Sequence, residues 1–392
     1  KHYILWLNIS LGNYAIPSLK KELIQISRYN IAVLPGDGIG PEIIDEGVKV
    51  IKAVQNVLPE LKCDFTTYEA SATLYARTGV AIPQEVYDAC EKADAIYFGA
   101  MGLPEIRLPD GTEVAGEIIF RLRFGLDLYA GIRPIKLYPN VKYPLKDRKP
   151  GSIDYVIMRE NVEGLYASRG GGNILRDDVS TDTSIITRTG TEKIVKYAFE
   201  WAKRRNGAPF DGKKRVTCVD KSNVLRSYAF FRKVYDEVAM AYPEIERDYA
   251  YVDAMTLWQV QRPEYYDVVV AENMFGDIIS DLGAGTVGSM GMAPSADVGD
   301  KYGLFQPAHG SAPTIAGKGL ANPLAAILSG SMMLDWLGLK NNDETALKAS
   351  RYIEEAVYRV LAEDKLMTQD IGGTARTKEV GDAVVEKISD LS

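Results

Sequence analysis

From Asn30 onward, apolar positions fall into two alternating rhythms. Short β-branched runs (NIAVL, CDFTTYEA, DAIYFGA) are separated by segments with apolar residues three and four apart (PEIIDEGVKVIKAVQNVL, PQEVYDACEKA). The first rhythm predicts strands and the second helices, and their alternation predicts an α/β fold with a largely parallel sheet. In the first helical stretch Ile43, Ile44, Val48, Ile51 and Val54 share one face, and Pro41 suits a first turn whose amide needs no partner.

The rhythm resumes in IDYVIM, TEKIVKYAFEWAKRR, RVTCVD, YAFFRKVYDEVAMAY and DVVVAENMFGDIISDLG. Between the two series lies SRGGGNILRDDVSTDTSIITRTG, read as an excursion from the sheet. The alternation of TDTSIITRT predicts an extended arm, and an isolated arm needs an external partner. After Gly283 a Gly/Pro/Ser-rich segment precedes two further helical patterns.

Composition narrows the field. At 392 residues and 46% hydrophobic content, the chain has room for two domains with substantial cores. A formal charge of -7 argues against a broad nucleic-acid or anionic-membrane surface, so an anionic ligand needs individually placed arginines and lysines. Cys63, Cys90 and Cys218 lack metal or redox spacing and read as buried thiols in a reducing compartment. With only His2 and His309, a histidine-rich metal site is excluded.

Residues 1–28 precede the first convincing strand and carry a short apolar patch, ILWL, without a small-residue cleavage site. They read as an organellar presequence or an added segment. The expected compartment is the cytoplasm, with an organellar destination left open.

Two glycine-rich stretches imitate nucleotide motifs. In VLPGDGIGPE, Gly36 and Gly38 fit the Rossmann fingerprint, but Pro41 stands where it wants its third glycine. In AGKGLAN, Gly319 follows Lys318 where a P-loop needs Ser or Thr, and this reading is rejected.

More specific chemistry lies in NMFGDIISDLG, where Asp277 and Asp281 are one helical turn apart beyond an apolar strand. Such pairs are usually solvated surface, but ligand sites of parallel sheets gather there, and a hard divalent cation is the specific alternative. Arg123, Arg133 and Arg159 each lie in or beside an apolar stretch, where a guanidinium calls for a carboxylate partner. Structural ion pairs would explain any one of them. Together with the acid pair, they suggest a polycarboxylate substrate held with a metal.

The motifs LPGDGIGPE, LRFGLDLYAGIRP, RENVEGLY, DKSNVL, YVDAM, NMFGDIISDL and HGSAPTIAGKGLANP, in this order, resemble the β-decarboxylating dehydrogenases of the isopropylmalate and isocitrate dehydrogenase family, from about Tyr29 to near the C-terminus. The resemblance implies a two-domain, open, non-Rossmann α/β fold with mixed, largely parallel sheets. Residues 29–128 and 288–392 would form the cofactor-side domain, and 129–287 the substrate and dimerisation domain with its intersubunit arm. It further implies an NAD-dependent oxidative decarboxylase using Mg²⁺ or Mn²⁺ on a small dicarboxylate, active as a homodimer or larger assembly. Arg123, Arg133 and Arg159 become the substrate clamp. Asp253, Asp277 and Asp281 become metal ligands, and Lys221 and Tyr166 catalytic residues, with Lys221 and Asp253 reaching in from a partner subunit. His309, Gly310, Ser311, Ala312 and Asn322 become the adenosine pocket, and Ile39 a nicotinamide-side contact.

Thr314 stands where NAD-dependent relatives commonly carry Asp; the Lys-Tyr pair of many NADP enzymes is absent too, so NAD is favoured and NADP stays open. In GEIIFRLR, Glu117 and Ile119 replace the Ser and Asn usual for isocitrate, while Ile119 and Phe120 suit an isopropyl group. The first expectation is therefore 3-isopropylmalate, the leucine-biosynthetic substrate. Arg121 interrupts that patch, so homoisocitrate, D-malate and tartrate remain alternatives. A regulatory, non-catalytic subunit is the competing class; the presence of Lys221, Tyr166 and all three aspartates argues against it.

Overall fold

The computed structural model describes residues 26–391. The ILWL patch, His2 and nearly all of the N-terminal extension lie outside the described residues.

The chain opens with β1 (Ser27–Gly36), α1 (Gly40–Val57), β2 (Leu61–Thr67), α2 (Ala72–Thr78), α3 (Gln84–Lys92) and β3 (Ala95–Ala100). It continues through α4 (Val114–Gly125), β4 (Ala130–Lys136), β5 (Asp154–Glu160), the hairpin β6 (Asn173–Leu175) and β7 (Val179–Thr181), then α5 (Arg188–Arg204) and β8 (Arg215–Asp220). Next come α6 (Arg226–Ala239), β9 (Glu246–Tyr251), α7 (Val252–Gln261), β10 (Val268–Ala271) and α8 (Asn273–Thr286). The last elements are β11 (Pro294–Val298), β12 (Gly303–Pro307), α9 (Leu324–Asn341), α10 (Glu344–Ala362) and α11 (Thr377–Ser389).

One ten-stranded sheet runs β2-β1-β3-β12-β11-β4-β5-β10-β8-β9. Its outer quartets, β2-β1-β3-β12 and β5-β10-β8-β9, are each parallel. Antiparallel pairing of β11 with β12 and β4, and of β4 with β5, reverses the polarity between them. Ligands of parallel sheets bind beyond the carboxyl ends of strands. Here the ends of β3 and β12 from one quartet and of β5 from the other line a single cleft.

The amphipathic helices form where their period predicts. On α1, Ile43, Ile44, Ile51 and Val54 are buried, Val48 is partly so, and Pro41 lies in the first turn. The two paired strands of the excursion lie upstream of the expected position: β6 and β7 pair over Asn173–Leu175 and Val179–Thr181. Most of TDTSIITRT is not strand: β7 ends at Thr181, Ile185 makes only an isolated bridge with Gly164, and Thr187, whose side chain accepts from Gly190 N, starts α5 at Arg188. The hairpin leaves Ile174 and Leu175 exposed. Cys63, Cys90 and Cys218 are free and buried.

Candidate active site

The cleft of about 350 Å³ is lined by Ile119 and Phe120 of α4, Arg123, Arg133 and Arg159, Tyr166, Asp277 and Asp281, and by the segment from Gln306 to Gly310. Sequence stretches as distant as α4 and α8 thus meet at one place.

Each arginine is delivered differently. Arg123 ends α4, and its Nε donates to Asp297 Oδ2 at 2.9 Å. Both side chains are buried, and although desolvation pushes the Asp297 pKa up, Arg123 and Arg133 hold it below its ordinary value. Arg159 leaves β5 and is fixed by Asn273, whose Oδ1 accepts from Nε at 3.0 Å and from Nη2 at 2.8 Å. Its Nη1 donates to Asp277 Oδ1. Burial, then the charges of Arg123 and Arg133, lower the Arg159 pKa. Gly276 permits this approach: a Cβ there would stand 2.8 Å from Arg159 Cβ.

Arg133 completes the trio from mid-β4. It is only 6% exposed, yet among the described residues its side chain makes no hydrogen bond or ion pair; it feels Asp297 and Asp281 only through their charge, and its Nε is buried without a partner. An unpaired buried guanidinium is costly, so this group calls for an external anion.

The acid pair sits opposite. α8 begins where the Glu272 side chain accepts from Phe275 N at 3.0 Å, and one helical turn places Asp277 and Asp281 on the same face. Desolvation and then the charge of Asp277 raise the Asp281 pKa, although solvent reaches its carboxylate. Tyr166 donates to Asp277 Oδ2 at 3.1 Å and stacks on Phe120 at 5.6 Å between centroids. Burial and Asp277 raise its pKa, which keeps the phenol protonated.

Lys221 and Asp253 do not join this cleft within one chain. They pair with each other through Lys221 Nζ, after β8 and at the start of α7, and Asp253 is well exposed. Among the described residues, no three His, Cys, Asp or Glu side chains cluster closely enough to hold a metal.

A second recess of about 450 Å³ adjoins the first and is lined by Ile39, His309, Gly310, Ala312 and Asn322 together with Ser289 and Asp370. Burial lowers the His309 pKa, and its Nε2 is buried without a partner, free for a ligand. Ser311 has a different place: its hydroxyl donates to Gly102 O at 2.5 Å and its carbonyl accepts from Ile39 N at 2.8 Å. That contact explains Gly38 of VLPGDGIGPE, while a Cβ at Gly36 or Gly40 would be crowded instead by the Ala100 and Pro35 carbonyls. Gly38 has φ +59°, and a Cβ there would lie 1.9 Å from the Ser311 carbonyl oxygen. Thr314 lines neither recess; its carbonyl accepts from Lys318 Nζ at 2.7 Å.

Arg121 is corrected by its neighbours. It donates to Ile82 O at 2.7 Å and to Gln84 Oε1 at 2.5 Å, and lies over the Tyr87 ring, so it does not interrupt the apolar wall. On α4, Ala115, Ile119, Phe120 and Arg123 face the cleft, whereas Glu117 and Arg121 do not line it.

A sequence profile described as isocitrate/isopropylmalate dehydrogenase matches residues 30–384. The chain belongs to the isocitrate/isopropylmalate dehydrogenase family. Among its relatives is the 3-isopropylmalate/3-methylmalate dehydrogenase of Methanocaldococcus jannaschii, 41% identical over 92% of this chain and 99% of the relative. Another is the tartrate dehydrogenase/decarboxylase of Pseudomonas putida, 40% identical over 93% of this chain and 98% of the relative. The isocitrate dehydrogenase of Methylococcus capsulatus superposes with a TM-score of 0.78 at 34% identity, over 92% of this chain and 99% of that structure. The chain is therefore an oxidoreductase of the β-decarboxylating dehydrogenase class.

Asp297, Asn273, Gln306 and Asp37 escaped the sequence reading. Asp37 accepts from Ala72 N at 2.7 Å and Gly102 N at 2.9 Å, fastening the glycine turn. Gln306 donates to Asp297 at 2.9 Å. The usable signal was an acid inside an apolar strand, as in PSADV, where a charge needs a partner.

Proposed function

We propose that this protein catalyses the NAD-dependent, Mg²⁺- or Mn²⁺-dependent oxidative decarboxylation of a 2-hydroxy dicarboxylic acid with an apolar C3 substituent, 3-isopropylmalate first among them. The carrying observation is Arg133, buried and unpartnered in a cleft that also holds Arg123, Arg159 and the acid pair. A dicarboxylate supplies the missing anion. Ala115, Ile119 and Phe120 give the same cleft an apolar wall, which suits an isopropyl group better than a further carboxylate.

The donor set fits a hard cation: Asp277 and Asp281 offer oxygens one turn apart, and the remaining positions suit substrate, water and Asp253 of the partner subunit. When bound, the cation would polarise the C2 oxygen and the nicotinamide would accept the hydride. The ring nitrogen of His309, without a protein partner, fits the nucleotide.

Within that arrangement Lys221 of the partner subunit takes the hydroxyl proton as C2 is oxidised to a ketone. Arg133 and its neighbours hold the carboxylates. The bond from C3 to its carboxylate then breaks, CO₂ leaves, and the electron pair remains as an enolate facing the arginines. Tyr166, kept protonated, returns a proton to C3.

A dimer is part of this reading. Val224, Leu225, Leu257, Val260 and Ile278 are exposed on the segments beside Lys221, Asp253 and Asp277, an apolar surface suited to a second copy. The test follows formation of reduced nicotinamide by absorbance, with each metal and with NAD or NADP, across 3-isopropylmalate, D-malate, tartrate, isocitrate and homoisocitrate. The reading expects the highest kcat/KM with 3-isopropylmalate and NAD; preference for unsubstituted D-malate or tartrate would assign the apolar wall another role.

A further inference from the structure

The chemistry above uses one face of the sheet. Strand alternation sends Arg133, Arg159 and Gln306 to the cleft, and sends Ile132, Pro134, Lys136, Val156, Ala296 and Phe305 to the other face. There, between α5, α9 and α10, lies a separate cavity of about 250 Å³. It is small beside ligand pockets of roughly 300–1,000 Å³, so it has room only for a small molecule.

Trp201 of α5 and Trp336 of α9 flank it, and Trp336 packs on Phe305 at 5.8 Å. Most rim charges are already matched. Arg205 pairs with Asp154 at 2.8 Å and Asp267 at 2.6 Å, and Arg204 with Asp335 at 2.9 Å.

Two are left over. Among the described residues neither the Lys136 nor the Glu354 side chain has an ion pair or hydrogen bond, and the Lys136 ammonium only lies over the Tyr138 ring at 5.3 Å. Crowding by protein raises the Glu354 pKa despite its contact with solvent, and Lys136 opposes that rise. The two are too far apart to pair, yet near enough to feel each other.

We propose that this cavity binds a small zwitterion with an apolar side chain, an α-amino acid in chemical class. Its carboxylate meets Lys136, its ammonium meets Glu354, and its side chain lies against Trp201 and Trp336. An uncharged ligand would desolvate both charges unpaired. A simple anion would leave Glu354 unpaired, and a simple cation would leave Lys136 stranded. β4 carries Lys136 on this face and Arg133 on the other, and through that strand occupancy is expected to alter turnover in the substrate cleft.

The test titrates the full chain, without substrate, with L-phenylalanine and L-leucine while following tryptophan fluorescence. Saturable binding is expected, weakened about tenfold by Glu354→Gln or Lys136→Met, and about tenfold weaker for phenethylamine and 3-phenylpropanoate, which carry one charge each. Circular dichroism establishes that both variants are folded. In turnover, saturating phenylalanine is expected to change kcat/KM about fivefold or more. No saturable binding of either amino acid, equal affinity for phenethylamine, or indifference to Glu354→Gln overturns the site; confirmed binding with unchanged kcat/KM overturns the coupling. The binding arm does not depend on the proposed reaction, so the two fail separately.

Discussion

Arg123 and Asp297 form an ion pair of 2.9 Å inside the protein, with side-chain exposures of 6% and 0%. Its neighbour Arg133 has no such partner. If Arg133 binds the substrate as proposed while the Arg123–Asp297 pair holds the fold, substitutions should separate the two roles.

Asp297→Asn leaves the Arg123 guanidinium buried and uncompensated. Breaking one side of a buried pair costs about 3–5 kcal/mol. Chemical denaturation of the variant should show a loss of that size, whereas a loss below about 1 kcal/mol would contradict the structural role.

Arg133→Gln removes a buried charge that Asp297 and Asp281 feel but that no protein side chain contacts directly. Stability should be retained or raised, while kcat/KM for the dicarboxylate falls about 100-fold or more through a lost charge-assisted hydrogen bond of roughly 3 kcal/mol. Thermal denaturation and steady-state kinetics on the same preparation check both halves.

Much of this was legible from the chain, for reasons the structure makes plain. α1 and α5 are amphipathic because one face meets the sheet and the other solvent, and their periods predicted them. α9 hid inside a segment read as Gly/Pro/Ser-rich. Twelve of its residues are buried, from Leu324 to Gly338, so no polar face marks its period. The three arginines, which line one cleft, stood out because arginines in apolar surroundings are anomalous. The roles of Asp297 and Asn273 were not, because pairings across 174 and 114 residues arise from strand order that local patterning does not encode.

Glu160 gives a pH signature. It is buried after Arg159 on β5, accepts from Val162 N at 2.9 Å and Glu163 N at 2.7 Å, and desolvation raises its pKa to about 7 from an ordinary 4.5. The folded state therefore binds more protons than the unfolded state between those values, so this contribution is full below about 4.5 and is lost as pH rises toward 7. The stability of wild type relative to Glu160→Gln should fall across that window. Denaturation at a series of pH values measures it, and a difference that rises or stays flat would contradict the assignment.

If sites are shared between subunits, Lys221→Ala and Asp277→Asn should complement each other. In a mixed dimer one site carries both defects and the other none, so co-refolded equal mixtures should recover roughly a quarter of wild-type activity. Sites contained within one chain would leave every mixed dimer inactive.

The reaction itself is tested most directly by measuring reduced nicotinamide and CO₂ together, with 3-isopropylmalate, NAD and Mg²⁺ or Mn²⁺. The account predicts equal amounts of the two products, formed only when the cation is present and abolished by Lys221→Ala. Reduced nicotinamide without CO₂, turnover indifferent to chelation, or no turnover with any of the five hydroxy acids would contradict it.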